Sequence, residues 1–539
     1  MADVVDDTLR SMTVAQKVGQ LFVAPVGRHS PNAVRLSPTE WGSDEPNEVA
    51  EWIDRYHLGG VCYFPTRLEG DEPADVAALL DRLRGAMPAG GVPVLFSIDQ
   101  EGGTVARMRR GVTPTPSAMA LAATGDPAAV EDVASIIGAE LRAVGFHLDY
   151  APCADVNVNP ANPVIGVRSF GSHPAAVGRY VAAYVRGLRS AGVGATVKHF
   201  PGHGDTSGDS HLMLPVVTHD RLDLLYQDFP PFTAAIKAGV EAVMTAHVFV
   251  PALDGSGAPA TCSRAVLSDW LRGHLGFTGP VVTDALDMAG ARARYGDEEV
   301  AVRALLAGAD QLLMPADLPA AVAAVRRAVE AGDVPMTRVD EAVRRTLALK
   351  QRLGVLDGRA GGGSLASLAS PERLAASRRI SAAGLTVRGE RDALRLHPDA
   401  VTLVGALEPV GTAVADALGV PADRRHDTGF DPSAEEVSQT VSALAGADLV
   451  VAVSADATRS PGQQALLAAL DAAEVRYVLL ATGAPYDARL APKAAATLFT
   501  YGEGAAAVQA AIAVLTGAAE PGGTLPVDLP HEHDDSDPS

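Results

Sequence analysis

The stretch VGATVKHFPGHGDTSGDSH, residues 193–211, contains the pattern on which the fold assignment rests. It begins with a short run of apolar and small residues and then reaches the polar pair Lys198 and His199. A continuous apolar run of this length is typical of a parallel strand that is buried on both faces. The proline and glycines that come next end the strand and predict a loop.

Seven further runs of the same kind lie in the first part of the chain. They occupy residues 20–25, 60–64, 93–99, 146–150, 241–247, 280–284 and 310–314. Between most of the runs, apolar residues at helical spacing predict helices, for example over residues 127–144, 174–190, 221–238 and 298–307. Eight such alternations predict an α/β fold, a (β/α)8 TIM-type barrel. An open doubly wound sheet is an alternative with the same pattern.

A smaller α/β sandwich domain is predicted to follow the barrel. A helix over about residues 338–353 cannot continue through the glycine-rich GRAGGGS at 358–364. Apolar runs then recur, separated by helical stretches over 434–445 and 462–473. These runs occupy residues 401–405, 448–453, 476–482 and 496–501. We therefore expect four parts: a barrel over 1–357, a linker and connecting helix over 358–385, a second domain over 386–530 and a disordered tail over 531–539.

The composition limits the class of protein and its partners. Of the 539 residues, 47% are hydrophobic and 20% are charged, which is the balance of a soluble globular protein. The net charge of -21 repels nucleic acid and anionic lipid, so we expect neither as a partner. The three cysteines Cys62, Cys153 and Cys262 are too few for a disulfide framework and fit a reducing compartment. The acidic start lacks a signal-peptide pattern and no run of about 18 apolar residues occurs, so we expect a cytoplasmic protein.

Polar residues stand at the ends of four predicted strands, where a barrel of this kind builds its active site. The third strand ends in Asp99, the fifth in Lys198 and His199, the sixth in His247 and the seventh in Asp284. One such residue alone could be a cap or a satisfied buried polar group. Four strand ends of this kind together predict a functional site.

The loop within residues 198–211 is the densest group of reactive side chains. Asp209 and His211 are close enough in sequence for the carboxylate to orient the imidazole, which makes a general acid/base unit. Two alternatives stay open: local hydrogen bonding within the loop, and a metal site that lacks any HxH or HExxH pattern. The candidate ligands of that metal site are His199, His203, Asp205, Asp209 and His211.

Four motifs together resemble the β-N-acetylglucosaminidases of glycoside hydrolase family 3. They are KHFPGHGDTSGDSH at 198–211, IDQEGG at 98–103, NPVIGVRSFG at 162–171 and TDALDM at 283–288. Downstream, ATGAPYD at 481–487 and PGGTLPVDLP at 521–530 look like the second domain of that family. The resemblance therefore extends over nearly the whole chain.

The resemblance implies a role for individual residues. Asp284 would be the nucleophile that forms a covalent glycosyl-enzyme, and His211 the general acid/base, assisted by Asp209. It implies no metal ion and no other cofactor. The residues that would bind the nonreducing-end sugar are Asp99, Arg107, Arg168, Lys198 and His199, with His247 and Met288 near the pocket.

One position departs from the family pattern, and another offers an alternative acid/base. Thr104 stands where many relatives have an arginine after the two glycines of IDQEGG. The β-glucosidases of the family take their acid/base from a glutamate elsewhere, often in the second domain, and Glu503 in YGEG is the candidate here. The complete pair of Asp209 and His211 makes such a role for Glu503 redundant.

The expected function is that of a retaining exo-β-N-acetylglucosaminidase, acting on GlcNAc oligosaccharides from muropeptides or chitin. A phosphorylase, in which phosphate instead of water attacks the glycosyl-enzyme, is the first competing hypothesis. A neutral His211 permits this, because a carboxylate base would repel the phosphate dianion. A metal-dependent hydrolase on a barrel is the second competing hypothesis, and a sugar-binding protein without catalysis is the third.

Overall fold

The computed structural model describes residues 2–27, 45–65, 70–359, 361–473 and 475–529. Its first part is a nearly closed barrel of eight parallel strands. The strands are β1 (Phe22–Val26), β2 (Gly60–Tyr63), β3 (Leu95–Ile98), β4 (Leu148–Asp149), β5 (Gly194–Phe200), β6 (Ala242–Thr245), β7 (Val281–Val282) and β8 (Leu312–Leu313). They lie in the order β8-β1-β2-β3-β4-β5-β6-β7, and a bridge between Val282 and Gln311 brings β7 beside β8. The predicted (β/α)8 barrel is confirmed, and the open doubly wound sheet is wrong for this part of the chain.

Helices surround the barrel, and capping residues in the sequence account for where they begin and end. Helix Pro127–Val144 begins after Asp126, whose side chain accepts a hydrogen bond from Ala128 N, and ends at Gly145 with φ 113°. The described residues of this part also form π-helical segments at Leu224–Asp228 and Ala265–His274. The described α-helices of this part are Ala2–Ser11, Val14–Gly19, Glu45–Tyr56, Pro73–Gly85, Ala118–Ala123, Pro127–Val144, Pro174–Ser190, Arg221–Asp223, Phe229–Lys237, Ala289–Arg292, Asp297–Ala307, Leu318–Ala331 and Met336–Arg352.

Strand β5 shows why the apolar runs are continuous. All seven of its residues are buried, because helices cover the outer face and neighbouring strands fill the inner one. At its first residue, Gly194, an added Cβ would lie 2.8 Å from Leu148 Cδ1 and 3.2 Å from Leu353 Cδ2. Apolar side chains thus fill the amino end of the barrel, and the polar residues of β5 lie at the other end.

The second domain is a doubly wound sheet with helices on both faces. Its strands are β9 (Thr386–Gly389), β10 (Val401–Gly405), β11 (Arg425–Asp427), β12 (Leu449–Ser454), β13 (Tyr477–Ala481) and β14 (Ala496–Phe499), in the order β9-β14-β13-β12-β10-β11. Strand β9 is antiparallel to β14, and the other pairs are parallel. The helices that pack against this sheet are Val410–Leu418, Ala434–Ala443, Pro461–Ala472 and Ala505–Leu515. The smaller α/β domain predicted from the sequence is therefore confirmed.

Two edge strands of this sheet were not predicted. Strand β9 has the sequence TVRG and β11 the sequence RHD, and both expose part of their residues. A strand at the edge of a sheet needs no continuous apolar run, because one of its sides faces solvent. The sequence pattern therefore predicts only the four inner strands.

The second domain packs on the loops that follow β3 and β4. Ser117 Oγ donates a hydrogen bond to the carbonyl oxygen of Tyr501 at 2.6 Å. The Tyr486 hydroxyl donates to the carbonyl oxygen of Asn157 at 3.4 Å. Helix Pro371–Gly384 connects the two domains. The carboxyl end of the barrel thus faces the second domain on this side.

Two further predictions concern the tail of the chain and membrane-spanning helices. Residues 531–539, for which a disordered tail is predicted, lie outside the described residues. Among the helices that the structure describes, none combines the length and apolar character needed to span a bilayer.

Candidate active site

A network of charged side chains lies at the carboxyl end of the barrel, between β3 and β5. Lys198 Nζ donates to Asp99 Oδ1 at 2.8 Å and lies 2.6 Å from Glu101 Oε1. Arg168 donates to both carboxylate oxygens of Glu101, at 2.8 and 2.9 Å. Arg107 Nη2 lies 3.7 Å from Asp99 Oδ2. Fixed charged donors and acceptors of this kind can bind and orient several sugar hydroxyls at once.

Glu101, at the end of the third predicted strand, is the member of this network to which the sequence interpretation gives no role. Burial raises the pKa of a carboxyl, but the charges of Arg168 and Lys198 outweigh it and hold the pKa of Glu101 well below its usual range. Burial would also lower the pKa of Lys198, whereas the carboxylates of Asp99 and Glu101 raise it above normal. Both residues are therefore charged at neutral pH. The Asp99 side chain is 16% exposed and that of Glu101 is 5% exposed, so Asp99 is the acid open to a ligand.

His199 lies beside the network and is fixed by a buried acid. Its Nδ1 is 2.6 Å from Asp155 Oδ2, and its Nε2 is 3.4 Å from Arg168 Nη2. A guanidinium can only donate, so the geometry places the proton on Nδ1 and leaves Nε2 as the acceptor. Burial would raise the pKa of Asp155, but its interaction with His199 holds that pKa well below the usual range. Asp155 therefore orients His199 as a carboxylate.

Potential metal ligands come together at one place in the described part of the chain. The ligand atoms of Cys153, Asp155 and His199 all lie within 4.8 Å of one another. They also satisfy one another, since Cys153 Sγ donates to Asp155 Oδ2 at 3.1 Å. The five residues of the predicted loop metal site are instead engaged in separate pairs. These pairs are His199 with Asp155, His203 with Ser210, Asp205 with His219, and Asp209 with His211.

The loop of residues 201–219, called the dyad loop below, is braced from within by His203. Its Nδ1 lies 2.6 Å from Thr206 Oγ1, and Thr206 donates its own proton to the carbonyl oxygen of His203 at 3.1 Å. His203 Nδ1 is therefore the donor, and Nε2 accepts from Ser210 Oγ at 3.0 Å. Burial lowers the pKa of His203 to about 4, which keeps the ring neutral and this hydrogen-bond pattern intact.

His219 closes the base of the dyad loop. Its Nε2 lies 3.1 Å from Asp205 Oδ2 and its Nδ1 lies 2.7 Å from Asp228 Oδ2. The hydrogen bonds to these two carboxylates raise the pKa of His219 to about 10. The imidazolium therefore ties the start of the loop to its end and to the π-helical segment Leu224–Asp228.

Asp209 and His211 form the predicted pair within this loop. His211 Nδ1 is 2.7 Å from Asp209 Oδ1, and the same oxygen accepts from the backbone nitrogen of His211 at 2.8 Å. Gly290 N donates to the carbonyl oxygen of Ser210 at 2.9 Å, and a Cβ at Gly290 would lie only 2.8 Å from that oxygen. The loop thus packs closely on the segment that follows Asp284. With Nδ1 held by Asp209, Nε2 is the His211 nitrogen available to a substrate.

Asp284 follows β7 and is held by the backbone. Its Oδ1 accepts a hydrogen bond from Ala285 N at 2.8 Å. Burial raises the pKa of such a carboxyl, but His199, His247 and His211 favour the charged form, and the pKa of Asp284 is lowered overall. Asp284 is therefore ionised at neutral pH, as an attacking carboxylate must be.

His247 and Met288, predicted to lie near the pocket, are buried behind Asp284. His247 Nε2 donates to the carbonyl oxygen of Ala285 at 2.9 Å, and Nδ1 lies 2.8 Å from Thr261 Oγ1. Both ring nitrogens are thus engaged by protein groups. Met288 is 2% exposed and belongs to the apolar filling of the barrel. The structure gives both residues a supporting position instead of direct access to a ligand.

The barrel thus places candidate catalytic groups and candidate sugar-binding groups at the same end. An ionised carboxylate lies near an imidazole that a second carboxylate orients, and charged groups suited to sugar hydroxyls line the adjacent wall. Paired groups of this kind cleave glycosidic bonds, one as nucleophile and the other as acid and base. The fold and the site define the class of glycoside hydrolases.

Comparison with known families gives the same class. Residues 13–349 match the Glycosyl hydrolase family 3 N terminal domain, and residues 321–539 match the Glycosyl hydrolase family 3 C-terminal domain. The chain belongs to glycoside hydrolase family 3. The family resemblance predicted from the four motifs is therefore confirmed.

Individual relatives agree with this assignment. The chain is 42% identical over 270 residues to β-hexosaminidase LpqI of Mycobacterium tuberculosis, covering 48% of this chain and 69% of the relative. It is 40% identical over 286 residues to β-hexosaminidase A of Pseudoalteromonas piscicida, and this match covers 50% of the chain and 48% of the relative. The chain thus spans about half the length of the latter protein.

A solved structure covers both domains. The family 3 β-N-acetylglucosaminidase from Paenibacillus sp. FPU-7 has a TM-score of 0.85 and 39% sequence identity to this chain. The superposition covers 96% of this chain and 99% of that one. The two-domain arrangement is therefore shared by the two proteins.

Proposed function

We propose that this protein is a retaining exo-β-N-acetylglucosaminidase that removes nonreducing-end GlcNAc from muropeptide or chitin-derived oligosaccharides. The names of the β-hexosaminidase relatives support the hexosaminidase activity, and family 3 membership supports glycoside cleavage. One observation carries the mechanism: the pair of Asp209 and His211 is held, through Ser210 and Gly290, against the segment that follows Asp284.

In the first chemical step, Asp284 attacks the anomeric carbon. A carboxylate oxygen of Asp284 forms a bond to that carbon while the bond to the leaving oxygen breaks. His211 Nε2 gives its proton to the leaving oxygen, and Asp209 stabilises the imidazole through Nδ1. The leaving group departs as an alcohol, and the sugar stays on Asp284.

In the second step, water releases the sugar. His211, now neutral, takes a proton from the attacking water through the same nitrogen. The water oxygen bonds to the anomeric carbon, and Asp284 leaves as a carboxylate. Two inversions at one carbon return the original β configuration, which is the retaining outcome.

The charged network supports recognition of a terminal sugar. Asp99, Lys198 and Arg168 present donors and acceptors at one wall, where each ring hydroxyl can be matched by a fixed partner. A terminal GlcNAc keeps free the hydroxyls that an internal sugar loses to its glycosidic bonds. Such a wall therefore favours removal of single sugars from the nonreducing end.

The proposal is tested by the substrate and by the stereochemistry of the product. We expect higher kcat/KM on an aryl β-GlcNAc than on the matching β-glucoside, and the first product seen by NMR should be β-GlcNAc. GlcNAc disaccharides from chitin and GlcNAc-bearing muropeptides compare the two natural sources. An α product, or a rate on the glucoside as high as on the GlcNAc substrate, would contradict the proposal.

Water is the proposed acceptor, and the same assay tests phosphate. Addition of phosphate should leave the rate unchanged and give free GlcNAc. Formation of GlcNAc 1-phosphate at the expense of GlcNAc would show that the protein is a phosphorylase.

A cytoplasmic location is part of the proposal. It is supported by Cys62, Cys153 and Cys262, which are all free thiols. Cell fractionation tests it directly, because activity in the membrane fraction or the medium would contradict a cytoplasmic enzyme.

A further inference from the structure

A cavity of about 360 Å³ lies between the two domains. The carboxyl ends of β10, β12, β13 and β14 form one side, and Thr104 and Val167 of the barrel form the other. In the second sheet the strand order reverses between β10 and β12. Open α/β sheets bind ligands in the crevice outside the carboxyl ends of the strands at such a reversal. The volume is within the range of small-molecule sites.

The described charged residues that line this cavity are all acidic. Its described residues include four acids and neither lysine nor arginine; the acids are Glu408, Asp427, Asp456 and Glu503. Among the residues that the structure describes, only the Cys153 group brings three potential ligand atoms within 4.8 Å. The four acids are thus too far apart to chelate one metal ion together. Separated carboxylates suit an extended organic cation instead.

An aromatic side chain lies on the same wall of the cavity. Phe430 lines the cavity and is 52% exposed. Its ring is therefore accessible to a ligand in the cavity. An aromatic face attracts an ammonium group and packs against the apolar side of a sugar ring. Phe430 beside carboxylates therefore favours a ligand that carries both an amine and a ring.

Two acids of the cavity, Asp456 and Glu503, are held in place by hydrogen bonds. Asp456 has a left-handed conformation with φ 48°, and its Oδ1 accepts from Ala484 N at 3.0 Å. At Gly483 any Cβ would collide with this carboxylate, so the glycine makes room for it. Glu503 Oε1 accepts from Thr482 Oγ1 at 3.0 Å. Acceptors that are already fixed lose little freedom when a ligand binds.

A smaller cavity of about 140 Å³ lies between this region and the charged network. It shares Thr104, Val167 and Asp456 with the larger cavity, and Arg168 is among its lining residues. Arg168 is also the residue that binds Glu101 in the charged network. The larger cavity is therefore next to the charged network that would bind the cleaved sugar, on the side where the second sugar of an oligosaccharide can lie.

We propose that the larger cavity is a second carbohydrate site, the interdomain site, which binds an amine-bearing sugar unit such as glucosamine. The carboxylates receive the ammonium group, and Phe430 packs against the ring. The site then selects partly deacetylated oligosaccharides over fully acetylated ones. The identity of the cleaved sugar rests on the proposed function, but binding of the amine does not.

Kinetics with two disaccharides tests the selection. GlcNAc-β-1,4-GlcN and GlcNAc-β-1,4-GlcNAc have the same cleaved residue and differ in the acetyl group of the second sugar. We expect kcat/KM to be roughly tenfold higher for the amine, and Glu408→Gln with Glu503→Gln to bring the ratio close to one. Glu520→Gln, an exposed acid of the same domain that does not line the cavity, is the matched control and should keep the ratio. A wild-type ratio of one overturns the inference, and hydrolysis of an aryl β-GlcNAc in the same experiment shows that the proposed function stands.

Direct binding tests the site without relying on catalysis. We expect a glucosamine disaccharide to bind the full chain in calorimetry, and Phe430→Ala or Glu408→Gln to weaken binding about tenfold or more. Glu520→Gln should bind as the wild type does, and added salt should weaken binding because the attraction is between charges. Binding that all variants share overturns the interdomain site, as does binding of Ca²⁺ without binding of the amino sugar.

Discussion

The proposed reaction requires Asp284 as its nucleophile. Replacing it with Ala should lower kcat by roughly 10⁴-fold without unfolding the protein, because no covalent intermediate can then form. Asp269→Ala, which removes an exposed acid paired with Arg264, is the matched control and should keep full activity. Steady-state rates on an aryl β-GlcNAc and the thermal midpoints of both variants check this. An Asp284→Ala variant that keeps several per cent of the wild-type rate would assign the nucleophile elsewhere.

His211 should reveal its role through the leaving group. A 4-nitrophenolate leaves without protonation, so His211→Ala should still form the glycosyl-enzyme but release it about 10²–10⁴-fold more slowly. A burst of nitrophenolate should then appear, and azide, which needs no deprotonation, should restore turnover and give a β-glycosyl azide. Asp209→Ala should show a milder form, because it orients His211 without transferring the proton. Absence of both burst and rescue would reject His211 as the acid/base.

The charged network shows how far single residues can be predicted from sequence. Asp99, Lys198 and His199 could be placed at one end of the barrel, because each follows an apolar run. Glu101 could not be separated from Asp99, since the two acids stand two positions apart and only the fold shows which one lies between Lys198 and Arg168. Partners distant in sequence, such as the acid that orients His199, are likewise visible only in three dimensions.

At the level of elements, the dyad loop depends on the hydrogen bond between Ser210 and His203. Ser210→Ala removes a hydroxyl that donates to a neutral ring, a contact of about 1 kcal/mol, so kcat should fall several-fold with little change in KM. The control is Ser207→Ala, an exposed serine of the same loop, which should leave both constants unchanged. Rates and unfolding midpoints measured together separate the effect on the loop from general instability. Equal kinetics in the two variants would show that His203 does not position the pair.

Elements buried on both faces were predictable and edge elements were not. The run at residues 193–199 corresponds to β5, whose residues are all buried, because burial on both faces leaves a continuous apolar signature. The edge strand β11 carries the sequence RHD and has no such signature. The course of the dyad loop also escapes prediction, since it depends on the contact between Ser210 and Gly290, which are far apart in sequence.

At the scale of the whole molecule, Lys350 makes stability depend on pH. It is fully buried, Nζ donates to Gln20 Oε1 at 2.7 Å, and burial lowers its pKa to about 7. The unfolded chain holds this proton up to about pH 10, so stability is lost as pH falls from about 10 to about 7 and is constant below that. The loss is at most about 1.4 kcal/mol per pH unit.

Lys350→Met should remove this pH dependence. Urea unfolding at pH 7 and pH 9 should give the variant a smaller gain in stability with pH than the wild type has. Lys493→Met is the control, because that lysine is exposed and donates to the carbonyl oxygen of Asp471. A variant with the same pH slope as the wild type would show that Lys350 is charged in the folded protein.

The contact between the domains has a consequence for protein engineering. Met119, Ala120 and Ala123 of the barrel belong to the same apolar cluster as the second-domain residues around Tyr501. Gly171 also lies so close to the carbonyl oxygen of Pro526 that no side chain would fit there. A barrel produced without its partner would expose an apolar patch, and one joined to a foreign second domain would meet a surface of the wrong shape. The two halves therefore do not behave as interchangeable parts, and chimaeras of family members should be joined outside this contact, with both of its sides taken from one parent.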